Sequence, residues 1–248
     1  MYALQPRHGS HALSLPVLLR CPVPITFTRS SAVPAVLFGA FFALYSRNAG
    51  TTTMTLAAVV GALGGAVSLL VHEVGHARAA WKLPGVRPVK VSLFSLGAAT
   101  HLEGAYRCGR DQVRVALAGP AASLAFAVPI FACMALPVAM PLRFAAFLLA
   151  ALNVAIAVFS LIPIHPFDGH KCLVGVIWSA VDSESKARRI LKALGRITVG
   201  ADVVCSSVLA VHRPVLGALV VCAAGAFFLQ KRFLRFVDRR RVTASRVS

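Results

Sequence analysis

Long apolar stretches separated by short basic segments dominate the pattern of this chain. The apolar windows predict six membrane helices. These are expected at about Ala32–Tyr45, Met54–Ala80, Val113–Leu136, Leu142–Ile162, Ile197–Val211 and Pro214–Gln230. The second, third and fourth reach the roughly 20 residues that a bilayer requires, whereas the others are near or below that length. We therefore expect an all-α polytopic membrane protein with about six transmembrane helices.

Two further segments have an extended pattern. Val86–Leu102 alternates apolar and polar residues, and Leu13–Thr28 carries β-branched residues interrupted by prolines. Both patterns predict short strands, so a small membrane-associated β element should accompany the helices. An unpaired strand near lipid is costly. The stretch Val86–Leu96 could therefore offer a strand edge to a partner, or it could only connect two helices.

The charge distribution orients the predicted helices. Hydrophobic residues make up 58% of the chain and charged residues only 14%, which is typical of a membrane protein. Lys and Arg divide 23 to 3 between alternate polar segments, so the positive-inside rule places both termini and the segment Arg78–Arg114 in the cytoplasm. The net charge of +18 therefore indicates contact of the basic loops with anionic lipid and no nucleic-acid binding.

One run in the second apolar stretch carries chemistry. His72 and His76 are four residues apart on a predicted helix, so both imidazoles project from one face and can bind one zinc ion. Glu73 lies next to them and can take a proton from a zinc-bound water. Ionisable groups at membrane depth are costly and mark functional sites. The run predicts zinc-dependent hydrolysis within the membrane or at its edge; a buried His pair with an incidental Glu is the alternative.

A catalytic zinc ion usually has three protein ligands and one open position. Asp168 is the best candidate for the third ligand, because the charge pattern places the end of the fourth helix at the same membrane side as His72 and His76. Asp202 is the rival candidate. His165 and His170 flank Asp168 and could bind the metal or hydrogen-bond its ligands.

These residues resemble the motifs of the site-2 protease family of intramembrane zinc metalloproteases. The run His72–His76 with the following Ala-Arg-Ala-Ala is similar to the family's first motif, and Pro163–Gly169, which ends in Phe-Asp-Gly, is similar to its second. Leu117–Pro120 resembles the Ala-Gly-Pro element at the start of the family's third helix. Asn153 falls where the fourth helix often has Asn. The resemblance covers roughly Leu13–Ser179.

The chain departs from the family's pattern at three positions. Ser160 and Ser123 stand where the family often has Asn, and His170 stands where a second Gly often follows Asp-Gly. We expect these differences to affect oxyanion or substrate contacts more than the zinc site. No segment resembles a PDZ-like or CBS-like domain, so the resemblance is to a minimal member.

The resemblance implies a site and a reaction. His72, His76 and Asp168 would bind one Zn²⁺ per chain, and Glu73 would activate water. Asn153 would help to hold the oxyanion or would hydrogen-bond a neighbouring helix, and both roles remain open. The implied reaction is hydrolysis of a peptide bond in or near a transmembrane segment of a membrane-anchored protein.

The resemblance also implies an organisation and a location. We expect an N-terminal cytoplasmic or interfacial segment (residues 1–31), a transmembrane zinc metalloprotease domain (32–230) and a basic cytoplasmic tail (231–248). The expected location is the plasma membrane of a prokaryote. Two other functions remain open. One is a zinc peptidase for soluble or prenylated peptides, and the other is a non-catalytic membrane adaptor or metal transporter.

Overall fold

Helices form most of the structure, a computed structural model that describes residues 12–13, 23–28, 30–95 and 97–193. Five helices are α1 (Ala32–Tyr45), α2 (Thr51–Trp81), α3 (Gly109–Ala132), α4 (Met140–Ser160) and α5 (Asp168–Val181). Residues 184–193 are helical as well. The described residues up to Arg188 belong to one compact unit. The two helices predicted at 197–211 and 214–230, Asp202 and the tail 231–248 lie outside the described residues.

The four helices predicted first along the chain are confirmed, with bounds within a few residues of the expected ones. Helix α5 differs from the prediction, because no helix was expected between Leu142–Ile162 and Ile197–Val211. The first turn of α5, Asp168–Lys171, is polar, and the 14 residues of the whole helix are too few to give a membrane-length apolar window. A helix this short is stabilised mainly by packing, which hydropathy does not report.

Three helices are long and apolar enough to cross a membrane by length and composition. They are Thr51–Trp81, Gly109–Ala135, which includes a 3₁₀ turn after α3, and Met140–Ser160. Helix α1 is apolar but shorter. Large apolar side chains such as Leu63, Val128 and Val158 are more than 60% exposed, and a surface of this kind fits lipid better than water. The protein is a membrane protein with a small sheet.

Helix α2 packs against α1, α3 and α4 and therefore lies centrally among the helices. Small residues permit this packing. A Cβ atom on Gly75 would press against the carbonyl oxygen of Ala118 in α3, and one on Gly65 would press against the ring of Phe38 in α1. Small residues at such crossings are typical of membrane helices, where close van der Waals contact provides the attraction.

The two extended segments form one sheet, as predicted. Its strands are β1 (Ala12–Leu13), β2 (Ile25–Phe27), β3 (Val86–Phe94) and β4 (Gly97–Gly104), and they lie in that order across the sheet. Strand β1 is antiparallel to β2, β2 is parallel to β3, and β3 is antiparallel to β4. The sheet packs against the last turns of α2, since Ile25, Val91 and Leu93 form a cluster with Ala77.

The position of the free strand edge differs from the expectation. One of the two alternatives for Val86–Leu96 was a free strand edge, but strand β3 pairs with β2 on one side and with β4 on the other. Among the described residues, β4 is the terminal strand next to α2. Alternation along the chain predicts that a segment is extended, but it does not say which strands lie beside it.

Candidate metal centre and catalytic residues

Three side chains predicted as metal ligands meet in the structure. His72 and His76 project from α2, and Asp168 is the first residue of α5. The Oδ2 atom of Asp168 lies 3.1 Å from His72 Nε2 and 3.0 Å from His76 Nε2, and the two nitrogens are 3.3 Å apart. All three side chains are buried. The convergence brings together residues that are 96 positions apart in the sequence.

This triangle of donor atoms fits a zinc ion. Ligand atoms bound tetrahedrally at about 2.0–2.1 Å from zinc are about 3.3 Å from one another. The observed separations of 3.0–3.3 Å are close to this value. Two imidazole nitrogens and one carboxylate oxygen also form the donor set of catalytic zinc sites, which keep a fourth position open.

The hydrogen bond of His76 supports the same interpretation. Its Nδ1 atom lies 2.7 Å from the carbonyl oxygen of Val115. A carbonyl oxygen only accepts, so Nδ1 carries the proton and a neutral His76 has its lone pair on Nε2. That lone pair faces the Asp168 carboxylate, and two such groups repel unless a cation or a proton lies between them. A metal ion would relieve this repulsion.

Gly119 leaves room beside the donor atoms. A Cβ atom at this position would fall on His76 Nε2 and close to His72 Nε2. The backbone of α3 can therefore approach the two imidazoles only because residue 119 has no side chain. Gly119 is ten residues from the start of α3, which places the site about 15 Å along that helix.

Ser123 contacts a candidate metal ligand. It is fully buried and its Oγ lies 3.0 Å from His72 Nδ1, while its expected effect on oxyanion or substrate contacts stays a prediction. Ser123 therefore orients a candidate metal ligand, and such supporting hydrogen bonds tune metal affinity. Ser160, the other Ser in place of Asn, donates to Ala157 of its own helix at 2.9 Å. His165 and His170 lie edge to face, with ring centroids 5.6 Å apart.

Asp168 is held as a carboxylate by its surroundings. Burial by itself raises the pKa of Asp168. In the metal-free protein a proton on His76 takes the place of the cation, and the hydrogen bonds from His72 and His76 together with the charges of His76 and Lys171 outweigh burial and hold that pKa well below its ordinary value. Lys171 Nζ donates to Oδ1 at 2.8 Å and so leaves Oδ2 for the imidazole side. The N-terminus of α5 adds a favourable dipole for the negative charge.

Glu73 lies beside the donor atoms. One of its carboxylate oxygens is within 4.8 Å of ligand nitrogens of His72 and His76. The Oγ1 atom of Thr100, in strand β4, is 2.7 Å from Glu73 Oε2 and 2.8 Å from the carbonyl oxygen of the same residue. The described contacts thus place a carboxylate next to the candidate metal ligands and in contact with the sheet.

Asn153 is fully buried between α4 and α2. Its Nδ2 donates to Ser68 Oγ and to the carbonyl oxygen of Leu149, each at 2.9 Å, and Ser68 donates onward to Gly64. Both amide hydrogens are therefore in use, and within the described part of the chain Oδ1 has no protein partner. These contacts provide a hydrogen bond between helices one turn before His72. The oxyanion role of Asn153 stays a prediction.

Sequence reasoning missed several residues that support the centre. Lys171 was missed because the pairing of an Asp with a Lys three residues later applies on a helix, and helix α5 was not predicted. Ser123 follows Gly119 by four residues and so lies on the same face of α3, but its contact with His72 depends on how two helices pack. Thr100 carried no local signal. Asp202, the rival third ligand, lies beyond the part of the chain that the structure describes.

Comparisons with known proteins agree with this site. No family model matches the chain. A Synechocystis protein named "Putative zinc metalloprotease sll0528" is 30% identical over 130 residues, which are 52% of this chain and 34% of that protein. "Putative zinc metalloprotease Rip3" of Mycobacterium tuberculosis is 36% identical over 124 residues, 46% of this chain and 31% of that protein. Over about half of its length, the chain is therefore similar to proteins named as zinc metalloproteases.

The extent of these matches is limited. The matched part spans about a third of the length of the curated relatives. Among solved structures, the site-2 protease from Methanocaldococcus jannaschii aligns with a TM-score of 0.48 and 19% sequence identity, covering 86% of this chain and 91% of that one.

Proposed function

We propose that this protein is an intramembrane zinc protease that hydrolyses a peptide bond in or near a transmembrane segment of a membrane-anchored substrate. The observation that carries the proposal is the meeting of His72, His76 and Asp168, with Glu73 beside them, among helices of membrane-spanning length. The relatives named as zinc metalloproteases support the same class of activity.

Each residue of the candidate site has a separate role in the proposed reaction. His72, His76 and Asp168 would hold the zinc ion, which when bound lowers the pKa of a coordinated water to about 7 and polarises a carbonyl group. Glu73 accepts the proton of the attacking water and passes it to the leaving nitrogen. Val115 and Ser123 orient the imidazoles, and burial of the donor atoms keeps the surroundings apolar, where electrostatic stabilisation is strong.

The sheet provides a place for the substrate. A helical substrate hides its carbonyl groups in its own hydrogen bonds, so the segment to be cut must first unwind. Unpaired backbone groups near lipid cost several kcal/mol each. Strand β4 ends the described sheet and contacts Glu73 through Thr100, so an extended substrate paired with β4 would lie beside the catalytic base.

The proposal is tested by co-expression of the chain with candidate single-pass membrane proteins. Glu73→Gln should retain zinc and lose cleavage, because only the base is removed. His72→Ala, His76→Ala or Asp168→Ala should lose both zinc and cleavage. Glu103→Gln is the matched control, since Glu103 is an exposed carboxylate on the same sheet.

The outcomes separate the rival functions. Purified protein that contains no zinc would favour a membrane adaptor, and protein that binds zinc without cleaving any candidate would favour a transporter. If Asp168→Ala keeps full zinc content and turnover, the ligand assignment is wrong and Asp202 becomes the third-ligand candidate.

A further inference from the structure

The contact between Thr100 and Glu73 joins the terminal strand to the catalytic helix. The Oγ1 atom of Thr100 is 2.7 Å from the carboxylate of Glu73 and 2.8 Å from its backbone oxygen. The neighbours of Thr100 on the same face of β4, Ala98 and Leu102, pack in the apolar clusters around Ala77 and Ala80 of α2. The Thr100 side chain is thus fixed from both sides by strand-to-helix packing.

The chemistry of this contact is selective. A Thr hydroxyl has one hydrogen, so Thr100 donates to only one of the two Glu73 oxygens at a time. The bond to the carboxylate is the stronger of the two because the acceptor is ionised. A Glu side chain has several rotamers of similar energy, and fixing one of them costs side-chain entropy. The hydroxyl of Thr100 offsets this cost for the rotamer that lies beside the metal ligands.

We propose that Thr100 is a positioning residue for Glu73, and that strand β4 sets the orientation of the catalytic base through this hydroxyl. The inference rests on the proposed function, in which Glu73 is the base and β4 pairs with the substrate. One strand then aligns both reaction partners, because the substrate backbone and the Glu73 carboxylate are positioned by the same element. Thr100 acts through Glu73 and touches no reacting atom.

The kinetic test compares two identical substitutions in one sheet. Thr100→Val removes the hydroxyl and keeps the shape. Thr26→Val is the matched control, since Thr26 hydrogen-bonds Ser92 at 2.9 Å between β2 and β3, away from Glu73. For Thr100→Val we expect kcat to fall about ten- to a hundredfold. The KM value and the zinc content should be unchanged, and Thr100→Ser should restore most of kcat. Wild-type kcat in Thr100→Val, or an equal loss in Thr26→Val, would overturn the inference.

A second measurement does not depend on cleavage. The midpoints of thermal unfolding are compared for Thr100→Val, Glu73→Ala and the double variant. Both single changes remove the same contact, so the loss in the double variant should be smaller than the sum of the single losses. Thr26→Val and Glu73→Ala should be additive. If the losses in unfolding midpoint are additive in both pairs of variants, Thr100 does not position Glu73.

A wild-type protein that cuts no substrate contradicts the proposed function. The comparison of unfolding midpoints still decides the role of Thr100 in that case.

Discussion

Gly119 has no side chain, and this leaves room for the imidazole nitrogens of the candidate metal centre. A methyl group there would fall on the imidazole nitrogens that face Asp168. We therefore expect Gly119→Ala to lower zinc content at least about tenfold, as loss of ligand geometry does in other metal sites. The measurement is metal per chain in purified protein. The control is Gly64→Ala, whose added methyl meets only the flexible side chain of Leu149. Full zinc content in Gly119→Ala would show that the donor atoms are arranged differently.

Asn153 allows a direct comparison of two roles. If its function is the hydrogen bond to Ser68, then Asn153→Ala and Ser68→Ala remove the same bond and should lower the unfolding midpoint and kcat by similar amounts. This is the result we expect, because both amide hydrogens of Asn153 have acceptors already. An oxyanion role would appear as a loss of kcat about a hundredfold larger in Asn153→Ala than in Ser68→Ala.

The candidate ligands could be predicted from the sequence because each depends on local information. The spacing of His72 and His76 fixes their common face, and the alternation of basic segments places Asp168 at the same membrane side. Ser123 and Thr100 could not be predicted in the same way. Their partners, His72 and Glu73, lie 51 and 27 positions away, and those contacts exist only after helices and sheet have packed.

Among the secondary-structure elements, α5 brings the third candidate ligand to the two histidines of α2, because it carries Asp168 at its first position. Its distance from α3 depends on Gly175, where a side chain would strike the carbonyl oxygen of Gly109 and the side chain of Val113. Gly175→Val should therefore displace α5 and lower zinc affinity by about tenfold or more while the His72–His76 run stays intact. Chelator competition measures the affinity.

The control for this change lies on the same helix. Val176→Leu alters a side chain that is 53% exposed and should leave zinc affinity at the wild-type value. Equal affinities in Gly175→Val and Val176→Leu would mean that the packing of α5 on α3 does not position Asp168.

The predictability of the elements follows their length and surroundings. Hydropathy predicts long apolar helices, so α2, α3 and α4 could be predicted from the sequence. The parallel pairing of β2 with β3 joins segments 66 positions apart at Ile25 and Val91, and only the folded chain specifies it. Helix α5 escaped prediction because its polar first turn and its short length resemble a loop in a membrane protein.

The orientation of the whole molecule in the membrane is a prediction from the charge pattern. A reporter fused after Gln112 should be active in the cytoplasm, and one fused after Arg47 or after Met140 should be active on the opposite side. The measurement uses two reporters, of which one is active only in the cytoplasm and the other only on the opposite side of the membrane. If the reporter after Gln112 is active on the opposite side, the predicted orientation is reversed and the candidate centre lies in the other leaflet.

The separation of 96 positions between His72 and Asp168 has a consequence during synthesis of the protein. A ribosome needs roughly 5 to 20 s to translate that interval. The nascent chain meanwhile has only two of the three candidate zinc ligands, so it would hold the metal weakly. Under the proposed function, the protein would be a protease made among other unfinished membrane proteins. The proposed activity could therefore begin only after α5 has been synthesised and has docked, which would protect neighbouring nascent chains from premature cleavage.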